Sequence, residues 1–139
     1  PHHYQRIGGL RYKCGAQWKS VNLSHIKTIA ANRLDSIDVF KLESAIPCNN
    51  VPLGIAPSSF AGILMSPAFI QIGGINVVEG MLQYRAESVK GDCGQVMVDG
   101  ETGKVVGMHV AKERSRSNHV GLGIPFTPEL LSALEDFRK

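Results

Sequence analysis

The sequence predicts an all-β fold, a sandwich or a barrel, and three observations carry that expectation. Short apolar or alternating runs recur at residues 39–42, 62–65, 69–72, 75–78, 95–98, 105–110 and 122–126, separated by Gly, Pro, Asn and Asp. Strands a few residues long between turn-forming clusters are the mark of such folds. Asp99-Gly100 and Thr102-Gly103 lie between two of these runs, where a hairpin needs residues that tolerate a tight turn. Only the tail carries a helical pattern.

In chain order, residues 1–12 are polar, aromatic and glycine-bearing, with no charged-then-apolar signal segment. The opening at Pro1-His2-His3 therefore reads as internal to a longer polypeptide. The stretch 49–59 carries Pro52, Gly54 and Pro57, and with Pro47 it is the best candidate for a linker. A boundary near residue 50 gives an N-terminal domain 1–50 and a C-terminal domain 51–139. In the tail, Thr127 can cap a helix and Pro128 suits its first position. Glu129 favours the positive end, and Leu130, Leu131, Leu134 and Phe137 form an apolar stripe.

Composition excludes more than it assigns. With 43% hydrophobic and 19% charged residues in 139, the chain is in the ordinary globular range. It has no apolar run long enough for a spanning helix. A net charge of +3 permits a nucleic-acid partner without calling for one. Cys14, Cys48 and Cys93 are an odd count without CxxC spacing. That argues against a disulfide framework or a zinc cluster and fits a reducing compartment.

The chemistry concentrates in Lys90-Gly91-Asp92-Cys93-Gly94 and in Gly107-Met108-His109-Val110. A thiol flanked by glycines sits where the backbone can turn sharply and aim its N–H groups at a ligand. The N–H groups of Gly91 and Cys93 could hold a tetrahedral oxyanion, at about 2.7–4 kcal/mol per donor. The alternative is a small residue buried in a turn, as free cysteines commonly are.

Gly91-Asp92-Cys93-Gly94 resembles the nucleophile motif of the picornavirus and calicivirus 3C-like cysteine proteases. In that family a Gly-x-His-Val strand follows, and here His109 lies sixteen residues after Cys93. The segment 117–125 is similar to the family's next loop and strand. The resemblance implies a chymotrypsin-like fold of two antiparallel β-barrels with the site in the cleft between them, and hydrolysis through an acyl-thioester on Cys93. It also implies a first barrel that is incomplete in this chain, with further strands upstream. No metal or organic cofactor is implied.

By the same resemblance His109 lines the pocket for the substrate's P1 side chain, Gln or Glu, with Ser88 as its hydroxyl partner. A neutral imidazole N–H can donate to the P1 carbonyl oxygen, and such a site rejects side chains that cannot accept the bond. The base must be another histidine. Pro1-His2-His3 matches the family's Pro-x-His, so His3 is the choice and His25 the rival. Only ten residues separate His25 from Asp35, too few for the intervening strands.

The resemblance also implies an acid directly before the strand that contains Lys41-Leu42, and counting back by the family's pattern falls on Ser36. One inserted residue makes it Asp35, whereas Asp38 needs a two-residue shift the other way. Asp35 is expected, with Asp38 the alternative. The loop bearing Arg114 and Arg116 reads as solvated. Cys14 reads as a loop residue and Cys48 as a linker residue. The implied partner is a polypeptide, a viral polyprotein with host proteins as further candidates, and the implied place is the host cytoplasm. A protease-like module binding viral RNA or a host protein is the competing reading, and a serine-type cellular relative a weaker one.

Overall fold

The computed structural model describes residues 10–30, 36–47, 50–65, 69–88, 92–114 and 119–137. Contacts divide the chain into two units, Pro1–Asn49 and Asn50–Lys139. In the first, β1 (Leu10–Cys14) pairs antiparallel with β2 (Gln17–Val21), and β3 (Leu23–Ala30) with β4 (Ser36–Leu42). Gly15, at φ +63°, closes the first hairpin in a conformation glycine adopts without strain. Cys14 is thus the last residue of a strand, not a loop residue. Alternation is weak in β1 and β2, which are basic and largely exposed, and this hid them from the sequence pattern.

The second unit is a closed antiparallel barrel. Its strands are β5 (Ser59–Met65), β6 (Ile70–Val78), β7 (Met81–Arg85), β8 (Val96–Asp99), β9 (Val105–Arg114) and β10 (His119–Pro125), in the order β10-β7-β6-β5-β8-β9. The chain is all-β with one short terminal helix, as the sequence predicts. Phe60, Leu64, Ile72, Ile75, Leu82, Tyr84, Met97 and Val106 point inward and form the core. Leu82 is fully buried, and truncating such a leucine to alanine typically costs about 2–5 kcal/mol.

The hairpin between β8 and β9 forms where Asp99-Gly100 predicted it. Asp99 is buried, and its carboxylate accepts from the Glu101 N–H at 3.0 Å. Two runs expected as separate strands, 69–72 and 75–78, are one strand, β6. Gly73 and Gly74 do not break it, because Ala61 opposes Gly74 while Gly62 opposes Ile72. Gly73 is therefore the extra residue of a bulge. The β6–β7 turn is Glu79-Gly80, both at positive φ (52° and 76°), a two-residue loop of type I′ character.

The stretch expected as a linker is part of the barrel unit. The Gly54 N–H donates to Val105 O, the Val105 N–H to Pro52 O and the Ala56 N–H to Phe126 O, at 2.9–3.0 Å. Prolines and glycine read as spacers, but these carbonyls and N–H groups pair with the start of β9 and with Phe126, just after β10. Arg114 ends β9 instead of lying in the loop after it. At the tail, α1 (Pro128–Glu135) begins under a Thr127 cap whose hydroxyl accepts from the Leu130 N–H at 3.2 Å. Leu130 is its buried anchor. No helix among the described residues is long and apolar enough to cross a membrane.

Candidate active site

Cys93 lies in the turn between β7 and β8, with its side chain exposed. Gly94 follows at φ +93°, a conformation costly for any residue with a Cβ. This lets the chain reverse at once, and the reversal is fastened to β9 by two hydrogen bonds. The Gly94 N–H donates to His109 O and the His109 N–H to Gln95 O, both at 2.8 Å. The nucleophile loop and the strand carrying His109 are thereby one hydrogen-bonded piece. Within the loop the Gln95 side-chain amide donates to the Asp92 carboxylate at 2.9 Å.

The thiol of Cys93 donates to Val110 O at 3.2 Å. Desolvation raises its pKa first, the neighbouring Asp92 carboxylate second, and its own backbone hydrogen bond opposes them. In this geometry Cys93 rests as a thiol. A nucleophilic thiolate needs a partner that takes the proton and balances the charge.

His109, on β9, is 2% exposed. Burial lowers its pKa, with Asp92 opposing, so the imidazole is neutral. Its Nδ1 meets the hydroxyl of Tyr84, which is itself buried. Burial, and then Cys93, push the Tyr84 pKa far upward, so the phenol keeps its proton. Leu122 O is a more distant acceptor for that proton, at 3.3 Å. We assign the proton to the nearer Nδ1, which leaves the ring's own hydrogen on Nε2. A neutral histidine held in this tautomer is an N–H donor that no carboxylate has to charge. Ser88 is buried at the end of the segment leading to the nucleophile.

Tyr84 was not found from the sequence. It stands twenty-five residues from His109 and belongs to no local motif. Only the β7–β10–β9 pairing brings the two together.

His3, Asp35 and Gly91 lie outside the described residues, as do Cys48 and Arg116. Of the expected groups, the structure therefore describes Cys93, His109, Ser88 and Asp38. Asp38 is found beside His25, the rival base, with Oδ1 3.4 Å from Nε2 and accepting from the Thr28 hydroxyl at 2.5 Å. A bulge at Ile26 brings this about, since His25 opposes Phe40 while Lys27 opposes Val39. The carboxylate faces Nε2, whereas the acid of a catalytic triad orients its histidine through Nδ1. Among the described residues no group of three or more His, Cys, Asp or Glu side chains could hold a metal ion.

A family model, the 3C cysteine protease (picornain 3C), matches residues 62–113. That stretch is a little over a third of the chain and contains Ser88, Cys93 and His109. It supports a relationship to the 3C-type cysteine peptidases and accords with the chymotrypsin-like barrel. No curated protein matches this chain.

Proposed function

We propose that this chain is the catalytic part of a viral cysteine endopeptidase that cleaves polyproteins after Gln or Glu in the host cytoplasm. One observation carries the reading: Cys93 and a buried, neutral His109 are joined through the loop-to-strand bridge at Gly94 and Gln95, within the stretch that resembles 3C proteases.

In the proposed reaction His3, oriented by Asp35, takes the proton of the Cys93 thiol. The thiolate attacks the scissile carbonyl, and the N–H groups of Gly91 and Cys93 receive the oxyanion. Collapse breaks the C–N bond, and the imidazolium returns its proton to the leaving amine. Water, deprotonated by the same histidine, then hydrolyses the acyl-thioester. His109 donates its Nε2–H to the P1 side-chain oxygen, and Ser88 takes the part of the family's pocket hydroxyl. A second assignment makes His25 the base and Asp38 the acid; it requires the neighbouring Asp38 carboxylate to move from Nε2 to Nδ1, so that Nε2 can take the thiol proton.

The test is turnover of a peptide with Gln at P1 against its Leu and Lys analogues. The Gln peptide, and less so the Glu peptide, should be cut, and Cys93→Ala should abolish cleavage. Loss of cleavage in His3→Ala but not in His25→Ala supports the first base, and the converse the second. A preference for basic or large apolar P1 residues overturns the specificity.

A further inference from the structure

A recess lined by both polar and apolar surface lies in the barrel wall, outside the Cys93 loop. The β6–β7 ladder runs from Val78↔Met81 only to Asn76↔Gln83, although both strands continue. Beyond that rung β6 follows β5 through the Gly73 bulge, while β7 pairs with β10 at Tyr84 and Arg85. Gly73 and Gly74 therefore have no cross-strand partners on β7, nor Tyr84 and Arg85 on β6. The strands part, and a cleft of about 350 Å³ opens between them.

Its lining follows from alternation. Leu82 and Tyr84 point into the core, so Gln83 and Arg85 point out, with Asn76 across from Gln83 and Val120 across from Arg85. On the β6 side a Cβ at Gly73 or Gly74 would meet nothing within 4 Å, so the backbone there is bare. Asn76, Gln83 and Arg85 have no side-chain partner among the described residues. Glu87, two residues past the end of β7, faces His119 at 3.7 Å instead.

We propose that this cleft binds an extended acidic peptide segment. Its backbone would lie along the bare edge at Gly73–Gly74, and one of its carboxylates would take the Arg85 guanidinium in a two-pronged bond. Three features select that occupant. Parted strands leave backbone donors and acceptors that an added strand can satisfy. A guanidinium fork matches a carboxylate. The amides of Asn76 and Gln83 can each donate to and accept from a peptide group. The cleft makes no use of Cys93, so the inference stands apart from the proposed proteolysis.

The experiment is an NMR titration of the ¹⁵N-labelled full chain with acetylated, amidated Thr-Val-Asp-Asp-Val-Thr. Aspartate is chosen so that the readout does not depend on cleavage after Glu. Saturable shifts at the amides of Gly73, Gly74 and Arg85 are expected. Binding should weaken at least tenfold for the Asn-Asn peptide and for Arg85→Ala, with partial recovery in Arg85→Lys. Gly74→Val, which adds its side chain in open space, should block the cleft while leaving the melting curve unchanged. Shifts elsewhere on the barrel, or undiminished affinity in Arg85→Ala, overturn the proposal. So does equal competition by inorganic phosphate, which marks a simple anion site, or displacement by hexauridylate, which marks a nucleic-acid site.

Discussion

The hydroxyl of Tyr84 and Nδ1 of His109 share a hydrogen bond, and both groups are buried in the barrel. With the phenol's proton assigned to Nδ1, this bond fixes which edge of the imidazole carries the hydrogen. Tyr84→Phe deletes the donor and leaves Nδ1 without its partner, and the ring is then free to adopt either tautomer. The kcat/KM for a Gln peptide should fall about tenfold, corresponding to ~1.4 kcal/mol of transition-state binding. The alkylation rate of Cys93 should stay within about twofold, since the nucleophile is untouched. Equal losses in both would mean that Tyr84 supports the whole loop and not the tautomer. His109→Ala should lower kcat/KM further and likewise spare alkylation.

The neutrality of His109 has a pH signature. Its folded pKa is depressed by burial, so the unfolded chain binds this proton more tightly than the folded one. The resulting stability is present above the unfolded value, about 6.5, and is lost as pH falls through the folded value. The melting temperature should therefore drop between pH 7.5 and 5.5, and the drop should shrink in His109→Gln. A pH slope identical in both proteins would assign it elsewhere.

Cys93 lies beside a carboxylate that disfavours its thiolate. Asp92→Asn removes the charge and keeps an oxygen to accept from the Gln95 amide. The pH profile of iodoacetamide alkylation should then shift to lower pH, with faster reaction at neutrality. An upward shift would mean that Asp92 acts chiefly by stabilising a positive partner of the thiolate, such as the proposed imidazolium.

Gly121 is the floor on which the Tyr84 ring lies. A Cβ there would come within 2.2 Å of Tyr84 Cε2. Gly121→Ala should displace the ring and break its bond to His109. It should cost about 1–3 kcal/mol in chemical denaturation and reproduce the specificity loss of Tyr84→Phe. Full activity with Gln peptides in a folded Gly121→Ala protein would remove Tyr84 from the pocket.

Much of this was legible in the sequence wherever a signal was local. Asp99-Gly100 announced its hairpin, Thr127-Pro128 its helix start, and the spacing from Cys93 to His109 its loop and strand. What escaped depended on pairing across the fold. The polar outward residues Gln83 and Arg85 kept β7 from reading as an apolar run. Gly73-Gly74 looked like a break because a bulge cannot be told from a turn without the opposing strand. The approach of His25 to Asp38 depends on the bulge at Ile26, and Tyr84 meets His109 only through barrel closure.

The two backbone bonds that link Gly94 and Gln95 to His109 also bear on how this molecule breathes. Their N–H groups lie in one ladder, so neither opens to solvent without the other losing its neighbour. The amides of Gly94 and His109 should exchange with deuterium as one cooperative unit. Thermal fluctuation would then disengage the nucleophile and the selectivity residue together, so that a loosened loop falls silent instead of becoming indiscriminate.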